Sequence, residues 1–423
     1  MNQLFVFYER ELVGKLKKNA DVTLSFSYEE AWKESKNGFS ISPLLDIKAE
    51  GNFDNRVTRS FFDNLLPEGK IRALLEKFVG KSLTNDFQFL EKFGADCAGA
   101  FIITPNEDYP EQTLSNDFEE LGLSELSKAY LNNENLMSHV MQKHRGRFSL
   151  AGAQDKVPFV YMDHKVYIPT NGVATTHVLK PPHFSKSVKD SVYNEYFSMK
   201  LASACGLKVP RVDVIESEIP FYVVERFDRK MIAGEVKRLH QIDFCQAQGY
   251  LTEEKYQEDG GPSLKSNYLC LKKNSSDMIE DTKIFIRWIC FNLLIGNNDC
   301  HSKNISFLWD GRKYRLSPFY DLLCTSIYRG YSAEFAFKLN DNGYWGQWKK
   351  EHFKKEIISW GLDKSPEILF EAFVEVKKTL LDNLETEVAA FKERFPSIKA
   401  ARRIKEEIGN RINSFDKRLK IIG

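Results

Sequence analysis

The sequence predicts an α+β chain in which an N-terminal module precedes two lobes, the first rich in strands with one helix, the second mainly helical. Three observations lead there. Short alternating apolar runs separated by turns fill 148–227, helical apolar spacing dominates from 228 onward, and residues 1–105 carry their own mixture of strand and helix signals. The 423 residues, 42% of them hydrophobic, supply enough apolar material for roughly two to three domains. The boundaries expected are 1–105, 106–227 and 228–423.

The elements follow in order. QLFVFYERELVGKL (Gln3–Leu16) alternates and predicts a hairpin. In FFDNLLPEGKIRALLEKFVG, Pro67 and Gly69 break two apolar runs and a helix starts near Lys70. Asp86 to Phe93 reads as a helix stopped by Gly94. PNEDYPEQTLSNDF (105–118) is a polar surface connection. FSLAGAQDKVPFVYM, DHKVYIPT and THVLKPP read as three short strands, SVYNEYFSMKLASAC as a helix ended by Gly206, and VPRVDVI and PFYVVERFD as two more strands. Beyond Phe227, helices are expected at Leu239–Gln248, at Asp281–Ile295 and several times between His352 and Lys420. The one exception is the hairpin ISFLWDGRKYRLSP, turning at Asp310-Gly311.

Charge and cysteine content exclude several classes. Formal net charge is +1, which is not the balance of a polycation built for nucleic acid or membranes. No apolar run is long enough to span a bilayer. Glu9 and Glu11 follow the first apolar run closely, so no secretory leader is read. The seven cysteines form no CxxC pair and are odd in number, which fits reduced, buried thiols in a cytoplasm. KAARRIK (Lys399–Lys405) reads first as a solvated helix face with i,i+4 pairs.

The chemistry concentrates in IGNNDCHSKN and SPFYDLL. A rigid hairpin between them can return Asp321 to the neighbourhood of Asn304 and Asp299. Three oxygen-bearing side chains suit a hard cation such as Mg²⁺. The Asp-x4-Asn spacing matches the catalytic loop of protein kinases, with Asp299 as base and Asn304 and Asp321 as metal ligands. A capped loop would use the same residues to satisfy backbone groups. Lys180, ending an apolar strand, fits the cation for ATP phosphates, with Glu195 on the following helix as its orienting partner; a strand-end lysine facing water is the plainer alternative. The loop Ser149–Lys156 has one glycine, Gly152, between small Ala151 and Ala153, and can form an anion nest or a plain polar turn. Glu225 and Phe227 fit a hinge that pairs with adenine, or an ordinary strand exit with an Arg226/Asp228 surface pair. A ligand cleft between the two lobes is expected on this layout.

SLAGAQDK, THVLKPP, NEYFSMKLA, VVERFDR, LHQIDFCQA, IGNNDCHSKN and SPFYDLL occur in the order seen in the HipA family of bacterial serine/threonine-protein kinase toxins, which this chain resembles over nearly its whole length. FFDNLLPEG and FLEKFGADCAGAF resemble that family's N-terminal signature. The resemblance implies a bilobal protein-kinase-like fold with an extra N-terminal module. It implies transfer of the ATP γ-phosphate, with Mg²⁺, to a serine of a protein target such as an aminoacyl-tRNA synthetase, glutamyl-tRNA synthetase being the usual example, and hence growth arrest or persistence. It implies a helix-turn-helix antitoxin of the HipB kind, which carries most of the contact with operator DNA. Nucleotide contacts carry over to Ala151, Gly152, Ala153, Gln154, Asp155, Lys156, Lys180, Glu225, Arg226, Phe227, His301, Ser302, Lys303, Asn304 and Asp321. Self-inhibitory autophosphorylation carries over to Ser149, where a dianionic phosphate would compete with ATP. Asp155 stands where the family commonly has Glu, and Cys300 where Ala is frequent. Two other readings are a small-molecule phosphotransferase and a non-catalytic regulator that binds antitoxin and DNA.

Overall fold

The computed structural model describes residues 2–78, 86–109, 118–144, 152, 154–163, 165–169, 173–232 and 235–420. The strands are β1 (Gln3–Tyr8), β2 (Glu11–Lys18), β3 (Leu24–Tyr28), β4 (Phe101–Thr104), β5 (Phe118–Glu120), β6 (Val157–Met162), β7 (Lys165–Pro169), β8 (His177–Lys180), β9 (Val212–Glu216), β10 (Pro220–Glu225), β11 (Arg229–Ile232), β12 (Glu235–Arg238), β13 (Gln241–Asp243), β14 (Ser306–Trp309) and β15 (Tyr314–Leu316). The helices are α1 (Glu30–Glu34), α2 (Asn55–Phe62), α3 (Gly69–Phe78), α4 (Asp86–Phe93), α5 (Leu123–Leu131), α6 (Leu136–His144), α7 (Ser191–Ala204), α8 (Phe244–Gln248), α9 (Leu264–Asn274), α10 (Met278–Ile295), α11 (Lys350–Ser359), α12 (Ile368–Arg394) and α13 (Ala400–Leu419). They gather into two compact units that interleave along the chain: Met1–Pro181, Ile215–Thr252 and Phe307–Arg312 form one, the remainder the other.

In the first unit, β3-β2-β1-β4 make an antiparallel sheet. Its alternating sequence puts Leu4, Val6, Leu16 and Phe26 in the core with α2 and α4, whose Phe61, Phe62, Phe87 and Phe89 are almost fully buried. Each such aromatic contributes about 2–3 kcal/mol. At Gly14 a Cβ would lie 2.3 Å from Ser27 O, so only glycine lets β2 and β3 meet there. The module is tied to a later stretch of the same unit: Gln246 Nε2 donates to Phe61 O and Asn64 Nδ2 to Tyr250 O, both at 2.8 Å. Beyond it, β5, β7, β6, β8 and β10 lie side by side in that order.

The sheet and module are joined by a buried ionic cluster. Arg226, Arg229 and Arg238 converge on Asp96 and Asp228. Burial alone would raise the Asp96 carboxyl; the three guanidinium groups overcome it and hold Asp96 below the usual carboxylate range. Arg229 and Arg238 face each other in the β11–β12 hairpin, an element the sequence reading does not anticipate. The expected helix Leu239–Gln248 is likewise corrected. Residues 241–243 are strand, His240 O accepts from Trp309 N, and the helix begins only after Asp243, which closes a capping box with Gln246.

In the second unit, α10 packs against α9, α12 and α13, its Trp288, Ile289 and Leu293 are fully buried, and α7 packs on α12 and α13. Tyr193, Tyr196 and Phe197 of α7 meet Phe391 of α12, and the two tyrosines also meet Phe395. The Lys399–Lys405 cluster is largely paired: Arg402 binds Glu406, Lys405 binds Glu385, and Arg403 donates to Ile327 O. All seven cysteines are buried and unbridged. Among the described residues no helix is long and apolar enough to cross a membrane.

Candidate active site

The loop bearing Asp299 grows out of the end of α10. Gly296 closes the helix at φ +77, and a Cβ there would sit 2.9 Å from Arg411 Nε and 3.0 Å from Ser326 Oγ. Both the left-handed backbone and the close approach require glycine. Asn297 then donates through Nδ2 to Asn292 Oδ1 (2.7 Å) and accepts from Asp299 N (3.2 Å). Asn298 N donates to Thr325 Oγ1 and its Nδ2 to Ser332 O, at 2.8 and 2.9 Å. Arg411 of α13, 1% exposed, donates to Leu293 O and to Asn298 Oδ1. Asp299 therefore stands on a backbone held from both sides.

Its carboxylate is half-buried, and Oδ1 accepts the Tyr256 hydroxyl at 2.6 Å. Asp299 O accepts from His301 N and from Asn304 Nδ2, the latter at 3.1 Å. Ser302 Oγ exchanges hydrogen bonds with Asn267. Lys303 O accepts the Tyr320 hydroxyl at 2.6 Å, which sets the start of Asp321, itself at φ +58. The Tyr331 phenol is pushed up first by burial and then by the charges of Asp299 and Asp321. One ring thus feels both carboxylates. Among the described residues no three His, Cys, Asp or Glu side chains gather as metal ligands. A divalent cation here would rest on the Asn304 amide oxygen, the Asp321 carboxylate and oxygens brought by a nucleotide. That donor set fits Mg²⁺, which retains waters and takes phosphate oxygens.

The other expected site residues fall in the first unit, except Glu195, which is buried on α7 in the second. Lys180 ends β8 opposite Tyr222, with Nζ 5.6 Å from that ring's centroid and only 7% exposure. Glu225 ends β10 opposite His177, and Phe227 is half-buried just beyond. Gly152 has φ +116, and its carbonyl accepts from Glu68 N. Gln154 and Lys156 are half-buried, while Ser149, Ala151 and Ala153 lie outside the described residues.

The side chains of two expected nucleotide contacts are engaged within the fold. All five N–H groups of Arg226 are engaged: with Asp228 twice, and once each with Asp96, Thr175 Oγ1 and Cys97 O. The Arg226/Asp228 pair is buried rather than on the surface. Asp155 accepts from Leu136 N and Met137 N at the start of α6, which explains its burial. Burial pushes its carboxyl up to about 6 against those hydrogen bonds. Since the unfolded value lies near 4, the folded chain binds the extra proton between about pH 4 and 6, and stability falls as pH rises through that window. In urea unfolding at pH 4.5 and 7, Asp155→Asn is expected to remove a pH-dependent component of roughly 2 kcal/mol.

The fold is that of a protein-kinase-like α+β chain with an added N-terminal module. The family model of the HipA-like C-terminal domain matches residues 148–383, and that of the HipA N-terminal domain matches residues 4–104. The chain belongs to the HipA family. It is 37% identical to the Y4mE protein of Sinorhizobium fredii over 79% of this chain and 80% of that one. It is 28% identical to the serine/threonine-protein kinase toxin HipA of Shewanella oneidensis over 78% and 77%. A solved structure of Shewanella oneidensis HipA with HipB and operator DNA matches with a TM-score of 0.82, covering 99% of this chain and 100% of that chain at 23% identity, a likeness of fold.

Proposed function

We propose that this chain is an ATP- and Mg²⁺-dependent protein-serine/threonine kinase that acts as the toxin of a HipA/HipB-type module in the cytoplasm. The observation that carries the reading is the braced loop presenting the Asp299 carboxylate, with Asn304 bonded to its backbone and Tyr320, the residue before Asp321, bonded to Lys303 O of the same loop. Asp299 accepts the proton of the target serine as its Oγ attacks the γ-phosphorus. The new O–P bond forms while the bond to the β,γ-bridging oxygen breaks, and ADP leaves with that electron pair. Asn304 and Asp321 would hold Mg²⁺ through hard oxygen ligands, and its charge would screen the triphosphate. Lys180 is the proposed cation for the phosphates, and Glu225 and Phe227 are the proposed border of the adenine. Positioning and electrostatics supply most of the rate.

The kinase named HipA in Shewanella oneidensis is called a toxin and is seen with HipB and operator DNA. By that likeness the partner here is a small helix-turn-helix antitoxin that makes most of the DNA contact, and the acceptor is a protein, an aminoacyl-tRNA synthetase being the leading class. Intact-mass spectrometry after incubation with ATP and Mg²⁺ tests the reading. Wild-type protein is expected to gain one phosphate, mapped to Ser149, and the Asp299→Ala variant none. If neither the protein itself nor any protein of a bacterial lysate takes label from γ-labelled ATP, the reading fails.

A further inference from the structure

The hydroxyl on Asp299 belongs to a side chain that sequence spacing does not connect with the loop. Tyr256 donates to Oδ1 at 2.6 Å, within the short range of charge-assisted O–H···O⁻ bonds. Its ring stands edge-on to His301, with centroids 5.0 Å apart at 83°, and the Lys255 ammonium lies 5.3 Å from its centroid. The backbone behind it is equally fixed. Tyr256 O accepts from Asp259 N and Gly261 N, and Gln257 Oε1 accepts from Lys338 N at 2.9 Å. At Gly261 a Cβ would lie 1.9 Å from Glu254 O, so this turn tolerates no side chain at that position. The hydroxyl is therefore presented by a rigid turn.

A carboxylate has about four acceptor sites on its two oxygens. A fixed donor on Oδ1 selects one orientation of the side chain and leaves Oδ2 for a second hydroxyl. We infer that Tyr256 is a positioning residue for the phosphoryl transfer: it holds the Asp299 carboxylate so that Oδ2 meets the acceptor hydroxyl. The inference rests on the kinase reading above. An obstructing role is the opposite alternative, and the anchored turn speaks against it, because a plug has to leave.

The two are separated by Tyr256→Phe in the full-length protein. ATP binding with Mg²⁺ is followed by calorimetry, and initial rates of label transfer from γ-labelled ATP to lysate proteins are measured at varied ATP. The expected result is unchanged ATP affinity and KM for ATP, an unchanged melting temperature, and kcat lowered about ten-fold. An unchanged or raised kcat overturns the inference, as does a loss of ATP affinity matching the loss of rate. A wild-type protein that transfers no label overturns the kinase reading itself and this inference with it.

Discussion

Asp299→Ala is expected to lower phosphoryl transfer by about 10²–10⁴-fold while the protein stays folded. The side chain is half-buried and the substitution mainly removes its hydrogen bond with Tyr256, so thermal melting should change little. Asp321 needs a different substitution. Its φ of +58 lies in the left-handed region, where alanine costs about 1–2 kcal/mol and asparagine is tolerated. Asp321→Asn keeps the backbone and removes the charge, and transfer in the presence of Mg²⁺ is expected to fall to a comparable degree. Label transfer, read beside a melting curve for each variant, checks both. Activity retained in both variants removes the site assignment.

The largest expected effect on stability belongs to Arg226. Removing its guanidinium leaves Asp96 and Asp228 buried with too little positive charge, and the Thr175 hydroxyl and the Cys97 carbonyl lose a donor each. Arg226→Ala is expected to cost about 3–5 kcal/mol, measured as a shift in the urea unfolding midpoint of the first unit. Arg226→Lys should rescue little, because an ammonium cannot reach the carboxylates, the hydroxyl and the carbonyl in one plane. Both carboxyls are held below their ordinary values, so their contribution is present above about pH 4 and is lost as acid protonates them. A variant as stable as wild type contradicts this account.

Much of the fold was legible because local signals and tertiary packing agree. Asp86–Phe93 is helical as its apolar spacing and Gly94 predict, and α7 ends at the glycine that marks its stop. Disagreement arose where a long-range contact decides. Apolar spacing over Leu239–Gln248 suggests one helix, yet pairing near His240 keeps its first half extended. The β11–β12 hairpin is set by arginines that Asp96 recruits from far along the chain, which no local pattern reports. α9 was missed although Pro262 and Ser263 announce it, Ser263 forming a capping box with Ser266. For the proposed site, spacing alone is enough to single out Asp299, Asn304 and Asp321. It does not single out Tyr256, since only folding brings its turn to Asp299. Arg411 left a trace: it falls on the buried stripe of α13, in line with Ile404, Ile408 and Phe415, where a charge requires a buried partner.

The position of Arg411 has a consequence in time. The ribosome releases the Asp299 loop well before it makes the side chain that braces it, 113 residues beyond Asn298. A nascent chain can carry every residue assigned here to phosphoryl transfer and still lack the guanidinium that fills the space behind Gly296. Until Arg411 has been made, the Asp299 loop lacks its brace on the Asn298 side.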